Sequence, residues 1–202
     1  MAPPHQRAIV SVTNDLVTDN RVHRTSMALV GLGYDVLLVG RILPGSAPLE
    51  RPYRTKRMRL LFNTGPLFYA EYNLRLFILL LFARADLLLA NDLDTLLANH
   101  LARRGRKLVY DTHEFYTEVP ELVGRPMVRR VWLAIERWIF PKLRTVITVN
   151  DSIAKAYRDR YGNTVHVVRN IPMKRELGPV PDRSALGLPE DRRHERVPPR
   201  HN

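Results

Sequence analysis

"LVYDTHEFYTEVPE", residues 108–121, begins as one kind of structure and ends as another. Leu108-Val109-Tyr110 is a short apolar run, and such a run bounded by polar residues reads as a buried strand. It stops abruptly at Asp111, Thr112, His113 and Glu114, with Glu118 and Glu121 close behind. A strand end that carries a histidine and several carboxylates is either a solvated loop or the rim of a site. The neighbouring segments decide between the two.

The same pattern recurs along the chain. "AIVSVT" (8–13) runs into Asn14 and Asp15, and "DLLLA" (86–90) runs into Asn91 and Asp92. "YDVLLVG" (34–40), "RMRLLF" (57–62), "TVITV" (145–149) and "VHVV" (165–168) read as further strands. Helical segments alternate with them. Asp19 or Asn20 is placed to cap a helix from Arg21 to Leu32, and Gly31 and Gly33 to close it. Helices are expected over 67–84 and 93–104, where Asp92 and Asp94 are candidate caps, and residues 43–55 read as loop. Pro126 opens a long helix, "PMVRRVWLAIERWIFPKL", with Val128, Val131, Trp132, Ile135 and Ile139 on one face and Glu136 elsewhere. Its Trp132 and Trp138 are expected in the core. Asp151 or Ser152 is the expected cap of a helix ending at Tyr161.

Strands that alternate with helices, most of them apolar on both faces, imply a parallel sheet covered on both sides. With right-handed crossovers the simplest solution is an α/β, doubly wound, Rossmann-like sheet. Residues 1–172 are expected to form this single domain. Residues 173–202 hold five of the chain's 15 prolines and almost no aliphatic run, so a disordered or linker-like tail is expected there.

The totals bound the function. There is no cysteine, which excludes disulfides and cysteine-based metal sites or nucleophiles, and which fits a cytoplasmic protein. The start of the chain lacks a basic region followed by an apolar stretch, so no signal peptide is read. The apolar run Leu76–Ala83 is far shorter than the roughly 20 residues of a bilayer span. It reads as a buried helix segment or an interfacial one. The net charge is +12, and from Lys174 onward seven Lys+Arg face five Asp+Glu, so most of the excess belongs to the folded body. Such a surface attracts phosphorylated ligands, anionic lipid or nucleic acid, although an Arg-rich composition alone gives the same sum. No nucleic-acid motif is present, and nucleic acid is not an expected partner.

In a doubly wound sheet, ligands bind outside the carboxyl ends of the strands, where strand order reverses. Three polar clusters stand at such ends: Thr13-Asn14-Asp15, Asn91-Asp92 and Asp111 to Glu118. Other chemistries fit less well. Gly31-x-Gly33 lacks the third glycine of a dinucleotide fingerprint and follows a helix where the fingerprint opens one. His113-Glu114 has Thr117 where a zinc-protease motif needs histidine. Asp111, Glu114, Glu118 and Glu121 could supply a glycosidase pair, whose separation sequence leaves open. His23, inside the first helix, reads as structural or solvent-facing.

Taken together, "VSVTNDLVTDNRVHR", "LGYDVLLVGR", "ANDLDTLLA", "LVYDTHEFYTEVPEL", "VITVNDSIAKAYRDRYG" and "VHVVRNIP" resemble, in order over residues 8–172, the N-terminal half of family 4 glycosyltransferases. These are retaining enzymes with the two-domain B-type fold. The resemblance implies an acceptor-binding domain that faces a second domain holding a nucleotide sugar, the co-substrate; no other cofactor is implied. It places His113 as the catalytic-site residue that reaches the donor sugar. Asn14 and Asp15 would lie near the sugar and diphosphate, Asp92 and Asp111 on the crevice, and Glu114 on the acceptor side, while Asn170 would mark the exit to the second domain. Relatives with two glycines in the first loop differ from this chain, whose loop, Thr13 to Asp19, has none.

The expected partners are an acceptor glycan or lipid-linked saccharide, a separate donor-domain half and an anionic membrane surface at its cytoplasmic face. After Pro172 only thirty residues remain, against roughly 100 for a second doubly wound sheet, so a truncated or split enzyme, inactive alone, is expected. The alternative is a non-catalytic module that holds anionic lipid or polysaccharide on its basic surface.

Overall fold

The computed structural model describes residues 6–171 except 120, 121 and 123. The expectation of a tail over 173–202, and Glu121, fall outside them.

Seven strands form one all-parallel sheet: β1 Arg7–Asp15, β2 Asp35–Arg41, β3 Arg54–Met58, β4 Leu87–Asn91, β5 Lys107–Thr112, β6 Thr145–Thr148 and β7 Val165–Val167. Their order is β3-β2-β1-β4-β5-β6-β7, so strand order reverses between β1 and β4. The connecting helices are α1 Asn20–Gly31, α2 Gly65–Phe82, α3 Leu93–Ala102, α4 Pro126–Ile139 and α5 Asp151–Tyr161. This is the doubly wound α/β class expected from the alternation of elements.

The strands are apolar on both faces because helices cover both. Ala8, Val10, Val12, Leu38 and Leu89 pack with Val22 and Leu29 of α1. Ile9, Leu88, Ala90 and Tyr110 point the other way, into a larger core with Tyr72, Leu76 and Leu80 of α2, Leu96 of α3, Ile139 of α4 and Tyr157 of α5. The period of two along each strand divides these sets.

Several boundaries differ from those expected, each for a physical reason. β3 begins at Arg54, inside the segment read as loop, and ends at Met58. It is an edge strand whose charged alternation (Arg54, Lys56) hides the apolar signal. The long helix from Pro126 stops at Ile139, and Phe140–Lys142 form a single 3-10 turn. Pro141 has no N–H to continue the helical ladder. On α4, Val131 and Trp138 are exposed, contrary to expectation, whereas Glu136 is fully buried with Trp132 and Ile139. The buried stripe is therefore i, i+4, i+7 from Trp132. α5 is capped by Asn150, whose side chain accepts from the Ile153 N–H at 2.8 Å, rather than by Asp151 or Ser152. Asp19 caps α1 through the Val22 N–H.

One glycine is needed for close approach. A Cβ on Gly40 would lie 2.3 Å from Leu16 Cδ2 and 2.9 Å from the Asn14 carbonyl oxygen. The end of β2 thus supports the loop after β1 at van der Waals contact.

Candidate functional site at the carboxyl edge of the sheet

Register brings the polar strand ends together. Ser11 of β1 pairs with Ala90, and Asn91 of β4 pairs with Asp111 of β5. The Asp92 N–H extends that ladder by one bond, donating to the Asp111 carbonyl at 2.9 Å. Beyond Ser11, β1 bulges: Asp15 next pairs with Arg41, two residues along β2 from the Val39 that faces Ser11. The bulge carries Thr13 and Asn14 over the point where strand order reverses.

At that point Asp92 and His113 meet. His113 Nε2 lies 2.9 Å from Asp92 Oδ2, and the His113 N–H donates a long bond of 3.5 Å to Asp92 Oδ1. One carboxylate therefore holds both the ring and the backbone of the histidine. The ring's Nδ1 has no partner among the described residues. Burial pulls the imidazolium pKa down, but the Asp92 carboxylate outweighs it, so the net shift is upward. Asp92 itself stands at φ 61°, ψ 166°, a backbone region that is nearly glycine's alone.

Asp111, almost fully buried, forms an ion pair with Arg21 from the first turn of α1. Burial raises its carboxyl pKa, and Arg21 and His113 oppose that rise. Beneath Asp92 lies Asp94, whose Oδ2 accepts from the Thr13 hydroxyl at 2.6 Å. Burial, then the Asp92 charge, push its pKa up to about 7. Asp94 thus ties α3 to β1 and caps nothing through its side chain. A buried amide network underlies both: Asn91 Nδ2 donates to the Ser11 carbonyl at 3.1 Å and Asn99 Nδ2 to Ser11 Oγ at 2.7 Å.

The structure brings Asp92, Asp111 and His113 into one cluster. Asn14 lies on the same edge, exposed, with its amide on Asp19 at 3.1 Å. Asp15 turns towards β2 and β3, where it takes Arg57 at 3.1 Å, the Val17 N–H at 3.2 Å and the Ser46 hydroxyl. The Glu114 side chain is solvent-exposed, while its carbonyl accepts from Thr112 Oγ1 at 2.7 Å. The His23 ring is tilted 38° to that of Tyr53, with Nδ1 2.7 Å from the phenol oxygen, a structural placement. Arg21, Thr13 and Asp94 complete the cluster. Of these, sequence reading overlooked Arg21, whose only local signal is a cation one residue inside a helix that starts at the strand edge. Among the described residues no group of three or more His, Asp and Glu is arranged to hold a metal ion. A hollow of about 840 Å³ lies at the opposite, amino-terminal edge, lined by Arg7, Asp35, Arg84, Asp86, Arg104 and Arg106.

An all-parallel doubly wound sheet with a charged cluster at its switch point is the architecture of a ligand-binding Rossmann-like domain. The chain belongs to Glycosyltransferase Family 4, whose model matches residues 19–171. No curated protein matches it by sequence. Among solved structures, sucrose-phosphate synthase from Thermosynechococcus elongatus superposes with TM-score 0.64 at 19% identity, covering 93% of this chain and 54% of that one. A second structure of that enzyme gives 0.57 at 16%, covering 81% and 87%. Phytolacca americana UGT2, complexed with UDP-2fluoro-glucose and pterostilbene, gives 0.56 at 11%, covering 85% and 55%. The chain thus spans about half the length of two of these structures. At such identities the likeness is one of fold.

Proposed function

We propose that this domain is the acceptor side of a nucleotide-sugar-dependent glycosyltransferase, and that His113 holds a hydroxyl of the sugar being transferred. The observation that carries the reading is the Asp92–His113 pair at the switch point. Asp92 holds the ring through Nε2. Nδ1, buried and without a partner among the described residues, is the nitrogen left for a hydroxyl once the strand-end loop opens to admit the sugar, as acceptor when the ring is neutral and as donor when it is protonated. Glycosyl transfer breaks the bond from the anomeric carbon to the leaving phosphate oxygen and forms one to the acceptor oxygen, whose proton is lost. The departing diphosphate needs positive charge and helix amides. In this domain Arg21 is already neutralised by Asp111, so a donor-binding half is the expected source of that charge.

The acceptor is a glycan or a lipid-linked saccharide in this reading. Saturation-transfer NMR of the 202-residue chain with UDP-glucose as probe tests it. The sugar protons should receive saturation more strongly than the uridine protons, and His113→Ala should remove that preference. A saturation pattern that His113→Ala leaves unchanged overturns the role of His113. Turnover of UDP-glucose by this chain alone, abolished by the same substitution, overturns the need for a donor-binding half. A second reading, a module that holds anionic lipid or polysaccharide without catalysis, is supported by the +12 net charge.

A further inference from the structure

From Leu76 to Phe82 helix α2 is apolar around its whole circumference, a property of helices buried on every side. Yet one face is open. Tyr72, Leu76 and Leu80 are fully buried against the sheet, while Leu67, Leu74, Ile78 and Phe82 face outward, Phe82 at 83% exposure. With 3.6 residues per turn these four positions form a single stripe. Among the described residues no helix is long and apolar enough to cross a membrane, so the stripe is no span.

Neighbouring helices extend the surface. The His100 ring of α3 meets the Trp138 ring of α4 edge-on at 5.4 Å. Arg106 donates both to the Leu80 carbonyl of α2 at 2.8 Å and to the Ala102 carbonyl of α3. The carboxyl ends of α2, α3 and α4 therefore lie together, and there Ile78, Phe82, Leu101 and Trp138 are all exposed.

Cations surround this apolar ground. Arg84, Arg104, Arg137 and Lys142 are exposed, and Lys142 Nζ sits 4.7 Å over the Trp138 ring. Among the described residues of these three helices no free carboxylate offsets them. On α2, α3 and α4, Asp94 and Glu136 are buried, and Glu71 is taken by Arg75 and by the N–H groups of Leu61 and Phe62. At the same edge Asp35 pairs with Arg54 and Asp86 accepts the Arg7 N–H.

We propose that the carboxyl-end surface of the α2–α3–α4 layer, centred on Ile78, Phe82, Leu101 and Trp138, docks on an anionic lipid surface. A polysaccharide or nucleic acid would answer the arginines and leave the apolar stripe in water; a neutral apolar partner would do the reverse. A lipid interface with anionic headgroups satisfies both, and Trp and Arg are the side chains that settle at that depth. The hollow beside Phe82 sets Arg7, Arg84, Arg104 and Arg106 against Asp35 and Asp86, a lining with a net positive charge. The inference rests on the anionic-surface reading only for the class of partner. It uses no residue of the strand-end crevice, which stays on the far edge of the sheet.

Co-sedimentation of the full chain with phosphatidylcholine vesicles, with and without phosphatidylglycerol, tests this. Binding should require phosphatidylglycerol and weaken with added salt. It should fall about tenfold or more in Ile78→Ser/Phe82→Ser and in Arg84→Glu/Arg137→Glu, while His113→Ala binds as the parent does. Trp138 emission should shift to shorter wavelength on binding, and Trp138→Phe should lose the shift. Equal binding to both vesicle types, no binding, or unchanged binding by the two double variants overturns the proposal. Binding to an anionic polysaccharide without vesicle binding also overturns it, while leaving the broader module reading in place. A dimer in sedimentation velocity that Ile78→Ser/Phe82→Ser dissolves would assign the stripe to a second copy instead, and likewise overturn it.

Discussion

His113 Nε2 stands 2.9 Å from Asp92 Oδ2, and these residues reach each other because β4 and β5 are adjacent and end at the same level. Burial disfavours the imidazolium, but the carboxylate prevails and the pKa rises above its ordinary 6.5. The folded state then holds the proton more tightly than the unfolded chain. The pair's contribution to stability is complete below about pH 6.5 and drains away as pH rises through the elevated folded value. Thermal melts of the parent and of His113→Gln should differ most at the acid end of that window and converge above it. A difference that stays constant with pH would mean the ring is held without charge.

Asp92 should tolerate glycine better than alanine. Its φ of 61° with ψ 166° costs a residue with a Cβ about 1–3 kcal/mol, which glycine avoids. Both substitutions lose the bond to His113, so Asp92→Gly should be more stable than Asp92→Ala by about 1 kcal/mol or more. Urea denaturation of the two variants measures the gap directly, and equal midpoints would show that the backbone is unstrained.

Asp94 works against the fold at neutral pH. Its carboxyl pKa is pushed from 3.8 to about 7, chiefly by burial, so the folded protein keeps a proton the unfolded chain releases. Stability is lost as pH rises from about 4 to 7. Asp94→Asn retains an oxygen for the Thr13 hydroxyl and carries no charge. It should be more stable than the parent above pH 7, with the advantage shrinking towards pH 4. Melts across that range read it out, and an Asn variant less stable at every pH would contradict it.

Glu136 anchors the loop after β5. Its carboxylate accepts from Tyr161 at 2.6 Å and Tyr157 at 3.4 Å and pairs with Arg160 at 3.4 Å. Arg160 also reaches Thr117 and Glu118 in the turn that follows His113. Removing the buried carboxylate takes the acceptor from the Tyr161 hydroxyl and leaves Arg160 with Thr117 and Glu118, and Tyr157 with the Glu114 carbonyl at 3.5 Å. Glu136→Ala should cost about 3 kcal/mol in urea denaturation, and Glu136→Gln clearly less. A loss equal in both would place the effect in the charge alone.

Much of this molecule was legible from local pattern. β1, β2 and β4 to β6 announce themselves as apolar runs because helices cover both faces, and β7, at the other edge, by Val165 and Val167 on either side of an exposed His166. β3 escaped by lying at the sheet edge, where Arg54 and Lys56 face water. Glu136 escaped for a different reason: helical periodicity scores a carboxylate as outward-facing. Nothing local says that Tyr157, Arg160 and Tyr161 of α5 will surround it. The exposed Trp138 and Phe82 are the converse case, apolar residues that a pattern assigns to the core.

The sequence by itself determined the alternation of buried strands and helices, the parallel sheet, and the polar residues that close β1, β4 and β5. Those follow from short-range rules: a period of two or 3.6, a cap, a proline without its N–H. Only the tertiary structure decided which of those polar residues meet. Arg21 and Asp111 are 90 positions apart, and Thr13 and Asp94 are 81 apart. Their contact depends on strand order and on the bulge in β1, and both are set by the packing of the whole sheet rather than by any segment of it.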